Sequence, residues 1–382
     1  MWKNGGTMNN SRSERFETVI IGGGQAGLAA GYHLARLERP FVILEAHERI
    51  GDSWRKRWDS LRLFTPARYD GLPGMPFPAA AWSSPTKDEV ADYIEEYAAH
   101  FDLPVRTGVR VDALSRDEER YVVAAGSRRF VADNVVVASG AYHTPRVPAF
   151  SPRLDGRIVQ LHSGEYRNPF QLRDGGVLVV GAGNSGAEIA LEVAGSHPTL
   201  LSGRDTGQEA PWRIGSLPDR LLTPPIWLLL TYMFSSKNLV GRKLRDKGES
   251  MGHPLVRVKP KDISAAGIER VPRTVGVQNG LPALEDGRVL DVANVIWCTG
   301  FRPAFGWIDL PVFGEHGEPV DERGVVGSEP GLYFVGRFFL HALTSSLIGG
   351  VGRDAKHIAK HIASRAPFDR PTAGALSGGR ID

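Results

Sequence analysis

Phe16, Val19, Ile20 and Ile21 make a largely apolar run that stops at Gly22, and apolar residues resume at helical spacing through Leu37. An apolar run that ends in glycine and passes into such spacing predicts a buried strand, a tight turn and a helix. Phe41 to Leu44 predicts a second buried strand. Thr86 with Glu89 three residues on is a capping box, and Val90, Ile94, Tyr97, Ala98 and Phe101 behind it mark one face of a helix. Val105 to Val111, Tyr121 to Ala124 and Arg129 to Ala132 predict strands of a small sheet, the last two joined by a turn at Gly126 and Ser127. Asn134 to Gly140 closes this unit as a further strand. The pattern then repeats: Val177 to Val180 is an apolar run ending in Gly181, a helical segment follows through Ala194, and Asn294 to Gly300 closes the second unit. After Gly300 come a polar stretch, a strand at Leu332 to Val335, and a helix with Ala355, Ile358, Ala359 and Ile362 on one face. This tail is assigned to the first unit.

The fold expected is α/β, with two Rossmann-like dinucleotide-binding domains, the second inserted in the first. Residues 14–150 and 301–366 form the first domain and residues 151–300 the second. Residues 1–13 and 367–382 lack periodic apolar positions and are expected to be flexible. The run Ile226 to Phe234 is too short to span a bilayer and is read as a buried helix. The surrounding segment, Gln208 to Asp262, carries Trp212, Trp227, Tyr232 and Phe234, and is expected to form part of a lid or substrate wall, or else to fill a domain interface. Its basic cluster, Lys237 to Lys247, is read as a solvated face.

Composition narrows the function. Lys and Arg total 46 against 43 for Asp and Glu over 382 residues, and so small an excess gives no electrostatic case for nucleic acid or a membrane surface. Small molecules are the expected partners, and the oligomeric state is left open. A single cysteine, Cys298, excludes a disulfide framework, a four-cysteine metal site and an internal redox dithiol. Met1 to Glu14 is polar and lacks the apolar core that a secretory signal needs, and a cytoplasmic location is expected.

The chemistry lies in the two turns. Gly22, Gly24 and Gly27 form GxGxxG between strand and helix, with Gln25 and Ala26 opening the helix. Glycines at those positions allow a tight turn, close approach of the backbone to a pyrophosphate, and close packing of helix on strand. Glu45, at the end of the next strand, is placed to accept hydrogen bonds from ribose hydroxyls. Gly181, Gly183 and Gly186 repeat the motif with Asn184 and Ser185. Where the first unit has Glu45, the second has Ser202 and Arg204. A guanidinium pairs with phosphate, so this site is read as selecting a 2′-phosphate, and hence NADPH.

With both motifs placed, the chain resembles the flavin-containing monooxygenases, including their plant auxin-forming and Baeyer-Villiger relatives, over nearly its whole length. The resemblance rests on the order of the two glycine motifs around a histidine segment, Leu154, Asp155, Gly156, His162, Ser163 and Tyr166. That segment departs from the family pattern in having Leu154 for phenylalanine and two extra residues before His162. The resemblance implies FAD at the first motif and NADPH at the second. It also implies cofactor contacts at Ser53 and Trp54, Val111, Ser139 and Gly140, Thr299 and Gly300, and Gly336. No asparagine occurs in Leu61 to Pro66, where many members carry one beside the flavin.

The activity implied is a flavin-dependent monooxygenase in which NADPH reduces FAD, which activates O2 to oxygenate a small organic substrate. Two alternatives stay open: a reductase or oxidase passing electrons to a quinone or carrier, and a non-catalytic flavin-binding sensor. The catalytic residues are not identified by sequence. His162 and His341 are candidates for chemistry or for structural hydrogen bonds, and Arg337 for facing the flavin or for an interface. Gly349, Gly350 and Gly352 open the last helix, either to direct its dipole at the flavin or to pack tightly.

Overall fold

The computed structural model describes residues 13–204, 209–233 and 254–365. The expectations for residues 1–12, 366–382 and the basic cluster Lys237 to Lys247 lie outside the described residues. No helix among the described residues is long and apolar enough to cross a membrane.

The first sheet is built on β1 (Ser13–Ile21), flanked by parallel β2 (Phe41–Leu44) and β6 (Arg128–Val137), with β3 (Val105–Arg106) beyond β2. The two segments expected as separate strands at Arg129 to Ala132 and Asn134 onward are one strand. The first half of β6 pairs antiparallel with β5 (Arg120–Ala125), which in turn pairs with β4 (Ala113–Asp117). Its second half pairs parallel with β16 (Leu332–Phe334). One strand thus serves a small meander at one end and the parallel sheet at the other, and Asp133 marks where its outer partner changes. The third expected strand is shorter than its apolar pattern: only Val105–Arg106 pairs.

The second sheet is wholly parallel, in the order β11 (Glu269–Val271), β10 (Thr199–Ser202), β9 (Val177–Val180), β14 (Asn294–Trp297), β8 (Val159–His162). Parallel strands covered on both faces read as continuous apolar runs rather than alternations. β9 and β14 follow that rule, with every residue buried. A hairpin of β12 (Thr274–Gln278) and β13 (Leu281–Leu284) lies after β11. The chain passes between the sheets twice, and the two passages pair with each other, β7 (Thr144–Pro145) antiparallel to β15 (Phe301–Arg302).

Helices α1 (Gln25–Ala35), α3 (Lys87–His100) and the last helix, α7 (Ile348–Ala363), cover one face of the first sheet. The Thr86 capping box forms as the sequence expects: its hydroxyl accepts from Glu89 N and the Glu89 carboxylate accepts from Thr86 N at 2.7 Å. Short α2 (Asp52–Arg55) follows β2, α4 (Asn184–Val193) follows β9, and α5 (Leu217–Leu228) and α6 (Pro260–Ala265) precede β11. The reading of a buried helix at Ile226 to Phe234 is overturned for the residues described. Ile226, Leu228 and Tyr232 are exposed, and Asp219 is the buried residue of α5. An apolar run marks a segment that avoids water, but it says nothing about which neighbours reach it.

Candidate functional site

Each glycine of a turn does a different job, and the two turns agree atom for atom. Gly22 has φ +110°, and a Cβ there would sit 2.5 Å from the Ala138 carbonyl oxygen. At Gly27 it would sit 1.9 Å from the Gly22 oxygen, but at Gly24 it would meet nothing within 4 Å. Gly181 has φ +111° and would press a Cβ to 2.2 Å from the Cys298 oxygen. Gly186 would press one to 1.7 Å from the Gly181 oxygen, and Gly183 again faces open space. The outer glycines are dictated by the protein itself. The middle one is not, and its bare backbone is what a phosphate needs to approach.

Gly24 and Gly183 are also the N-caps of α1 and α4. Neither helix has a side-chain cap or an acidic residue in its first turn. The first-turn N–H groups, which begin at Gln25 and Ala26 in one helix and at Asn184 and Ser185 in the other, carry the positive end of the helix dipole. The sites therefore fit a dinucleotide pyrophosphate. Asn184 has a further task, since its side chain donates to Pro254 O at 3.0 Å and accepts from Val256 N at 2.9 Å, holding that segment over the turn.

At the end of β2, Glu45 accepts from Gly23 N at 2.7 Å and from His47 N at 2.9 Å, and its carboxylate lies 2.7 Å from His47 Nδ1. Burial opposes its ionisation, but the hydrogen bonds from His47 and Gly23 outweigh that and hold the carboxyl below its usual range. Glu45 is thus an anion aimed at the first turn. Val109 N donates to Glu45 O at 2.8 Å, whereas Val111 packs half-buried against the apolar cluster around Val109 and Leu114.

At the corresponding end of β10 the structure corrects one residue. Ser202 is fully buried, its hydroxyl donates to Pro272 O or Thr274 Oγ1, both at 2.8 Å, and it accepts from Thr274 N at 2.9 Å. Ser202 ties β10 to the hairpin and is withdrawn from phosphate contact. Arg204 is exposed, and its carbonyl accepts from Arg270 Nη2 at 3.4 Å. Arg270, on the neighbouring strand β11, is a second cation at this strand end. Sequence alone does not reveal it, because only the pairing of β10 with β11 brings the two arginines together.

Two histidines secure the passages between the sheets. His162 Nδ1 accepts from Gly164 N at 3.1 Å, which leaves its Nε2–H to donate to Gly300 O at 2.9 Å. Burial pushes its pKa below the usual value, so the ring stays neutral. His143, which sequence reading passed over, accepts from Ala304 N at 3.0 Å and donates to Ser139 O at 2.8 Å. Gly140 and Gly300 both have φ +80° with open space where a Cβ would be. Thr299 Oγ1 donates to Arg146 O. Ser139 Oγ is buried without a partner among the described residues, next to the first turn, where a Gly22 Cβ would lie 3.2 Å from Ser139 Cα. That orphaned hydroxyl is a second feature that fits a ligand in the first site.

Arg337 is engaged within the chain. Its guanidinium pairs with Asp321 and, at 3.0 Å, with Glu318, and it lies over the Phe334 ring. Two carboxylates therefore balance its charge. Gly336, with φ +78°, brings the end of β16 against α1, where a Cβ would lie 2.6 Å from Ala26 Cβ. His341 is buried in a turn closed by Ser345 Oγ, which accepts from the N–H groups of His341 and Ala342 at 3.0 Å each. Gly349 and Gly350 would press a Cβ to 1.8 Å from Tyr69 O and Thr344 O, and Gly352 would press one to 2.4 Å from Pro73 Cγ. Tight packing therefore accounts for all three glycines. Ser53 is exposed at α2, and Trp54 packs between the first-domain core and that of the second sheet.

The loop that receives α7 holds a group the sequence reading missed. Asp70 is 1% exposed and accepts from Thr65 Oγ1 at 2.6 Å, while its other oxygen has no partner among the described residues. Burial pushes its carboxyl up to about 7. Beside it a cavity of about 360 Å³ is lined by Arg68, Tyr69, Leu72, Met75, Trp227 and Gly349. Trp227 of α5 stacks on Tyr69 at 4.6 Å, so α5 supplies part of a wall.

A family model described as pyridine nucleotide-disulphide oxidoreductase matches residues 19–210. An uncharacterized oxidoreductase, CzcO-like, of Geobacillus kaustophilus is 38% identical over 91% of this chain and 98% of its own. A probable indole-3-pyruvate monooxygenase, YUCCA3, of Arabidopsis thaliana is 30% identical over 91% of this chain and 86% of its own. Among solved structures, the flavin-containing monooxygenase of Stenotrophomonas maltophilia superposes with a TM-score of 0.73, is 30% identical, and covers 91% of this chain and 98% of its own.

Proposed function

The chain belongs to the flavin-containing monooxygenase family, an FAD-dependent oxidoreductase, and from that premise we propose which of its residues hold each cofactor. The single observation that carries the assignment is the pair of superposable glycine cradles with opposite charges at the matching strand ends, Glu45 at one and Arg204 with Arg270 at the other.

Gly24 and the first turn of α1 bind the pyrophosphate of FAD, Glu45 takes its ribose hydroxyls, and Ser139 supplies a hydroxyl at the end of β6. Gly183 and the first turn of α4 bind the pyrophosphate of NADPH, with Arg204 and Arg270 on the 2′-phosphate. Residues 14–150 and 301–366 make up the FAD domain, and residues 151–300 the NADPH domain. Bound together, the two cofactors supply hydride transfer and the activation of dioxygen towards a small organic substrate. The chain supplies orientation: His143 and His162 hold the two passages, and therefore the two cradles, in fixed relation. No dithiol relay is available, because Cys298 is the one cysteine and burial pushes its thiol up to about 12. The protein is assigned to the cytoplasm, where NADPH and a reduced cysteine are maintained.

The test is NADPH consumption in air by the FAD-loaded protein, with isotopically labelled dioxygen and a panel of small nucleophilic and carbonyl substrates. Label in a product establishes the monooxygenase. Consumption that yields hydrogen peroxide alone with every substrate moves the assignment to a reductase or oxidase, and no consumption moves it to a sensor.

A further inference from the structure

Two arginines at the seam between the sheets are used by nothing described so far. Arg57, just past α2, donates from Nε to Ser53 O at 3.2 Å, and its guanidinium lies 4.8 Å from the ring centre of Tyr142 and 5.5 Å from that of Phe301. Tyr142 follows Gly140 and Phe301 follows Gly300, so each passage contributes one ring. The rings meet edge to face at 5.2 Å, and His162 abuts Phe301 at 4.6 Å. Arg167 donates from Nη1 to Gly164 O at 2.9 Å and Tyr166 O at 3.0 Å. A Cβ on Gly164 would lie 3.1 Å from Phe301 Cζ, so the loop anchoring Arg167 rests on the same ring.

Neither arginine forms an ion pair among the described residues. Other arginines of similar burial do: Arg39 with Glu17, Arg55 with Asp92 and Glu95, Arg257 with Glu188. The nearby acids are committed elsewhere, Glu165 to His162 N at 2.8 Å and Asp59 to Asn168 Nδ2 at 2.7 Å. Burial lowers the pKa of Arg57; Tyr142 opposes this and the charge of Arg167 adds to it. Aromatic faces hold a guanidinium plane and leave its N–H edges free for an anion. Tyr142 is 68% exposed, so the seam is open to a ligand.

We propose that Arg57 and Arg167, framed by Tyr142 and Phe301, form an anion-recognition site at the seam that takes a phosphate or carboxylate group, supplied by the pyridine dinucleotide or by an acidic substrate. The proposal rests on the functional reading above and adds to it the chemistry recognised where the two domains meet.

The experiment titrates the FAD-loaded protein with NADP+, inorganic pyrophosphate and benzoate, read by tryptophan fluorescence without turnover. The proteins compared are wild type, Arg57→Gln, Arg167→Gln and Arg57→Lys. With FAD content and melting temperature unchanged, the glutamine variants bind at least one of these anions about tenfold more weakly, and Arg57→Lys recovers part of the loss. Weakening towards NADP+ and pyrophosphate identifies the dinucleotide as the source, and weakening towards benzoate alone identifies an acidic substrate. Unchanged affinity for all three in folded, FAD-loaded glutamine variants overturns the proposal, as does failure of all three to bind wild type. Because the readout needs no turnover, an enzyme that fails to consume NADPH overturns the functional reading and leaves this test standing.

Discussion

At the scale of single residues, space and charge separate positions that look alike in sequence. Gly24→Ala adds a methyl group to empty space at an ordinary φ, so the protein is expected to melt within a few degrees of wild type while losing bound FAD. Gly27→Ala drives the same methyl into the Gly22 carbonyl and is expected to destabilise by about 1–3 kcal/mol or more. Flavin absorbance and thermal melts of the two variants distinguish these outcomes. Asp70 allows a pH prediction. Its carboxyl titrates near 7 when folded against 3.8 for an unperturbed group, so across that window the folded state binds the extra proton. Stability from this group is therefore full below the lower value and declines as pH rises towards the upper one, by at most about 4 kcal/mol. Urea titrations across this range are expected to show that slope in wild type and lose it in Asp70→Asn. An unchanged slope in the variant would assign it to other groups.

At the scale of elements, the helices that begin the two cofactor turns differ from α3 in how their first turns are satisfied. Thr86 and Glu89 cap α3 from within the chain, whereas α1 and α4 start on bare glycine. Thr86→Ala is expected to cost about 1 kcal/mol in chemical denaturation and to leave FAD content unchanged, because that cap serves stability alone. The passages β7 and β15 show the same economy. Two residues in each pair with the other, and His143 and His162 add the cross-links that two short strands cannot provide.

At the scale of the whole molecule, the proposed cofactor choice rests on residues gathered from separate elements. Arg204→Gln and Arg270→Gln are each expected to lower the NADPH to NADH ratio of kcat/KM by roughly tenfold, the loss of one charge-assisted contact. Cys298→Ala is expected to keep NADPH turnover near that of wild type. A large fall would contradict a mechanism without a thiol. Much of this was legible in the sequence, because strands buried on both faces leave continuous apolar runs, and turns that need positive φ or backbone contact leave glycines at fixed spacing. Both cradles, the carboxylate of Glu45 and the Thr86 cap were readable for that local reason. The sequence did not reveal that β6 is a single strand with two partners, that Ser202 and Arg337 are already engaged, that Arg270 stands beside Arg204, that Asp70 is buried, or that Arg57 has no ion-pair partner among the described residues. The first gap reflects sheet pairing, which an apolar run does not specify. In the others, a side chain's hydrogen bonds, charge partners and exposure to water come from residues distant along the chain, and only tertiary structure brings those residues together.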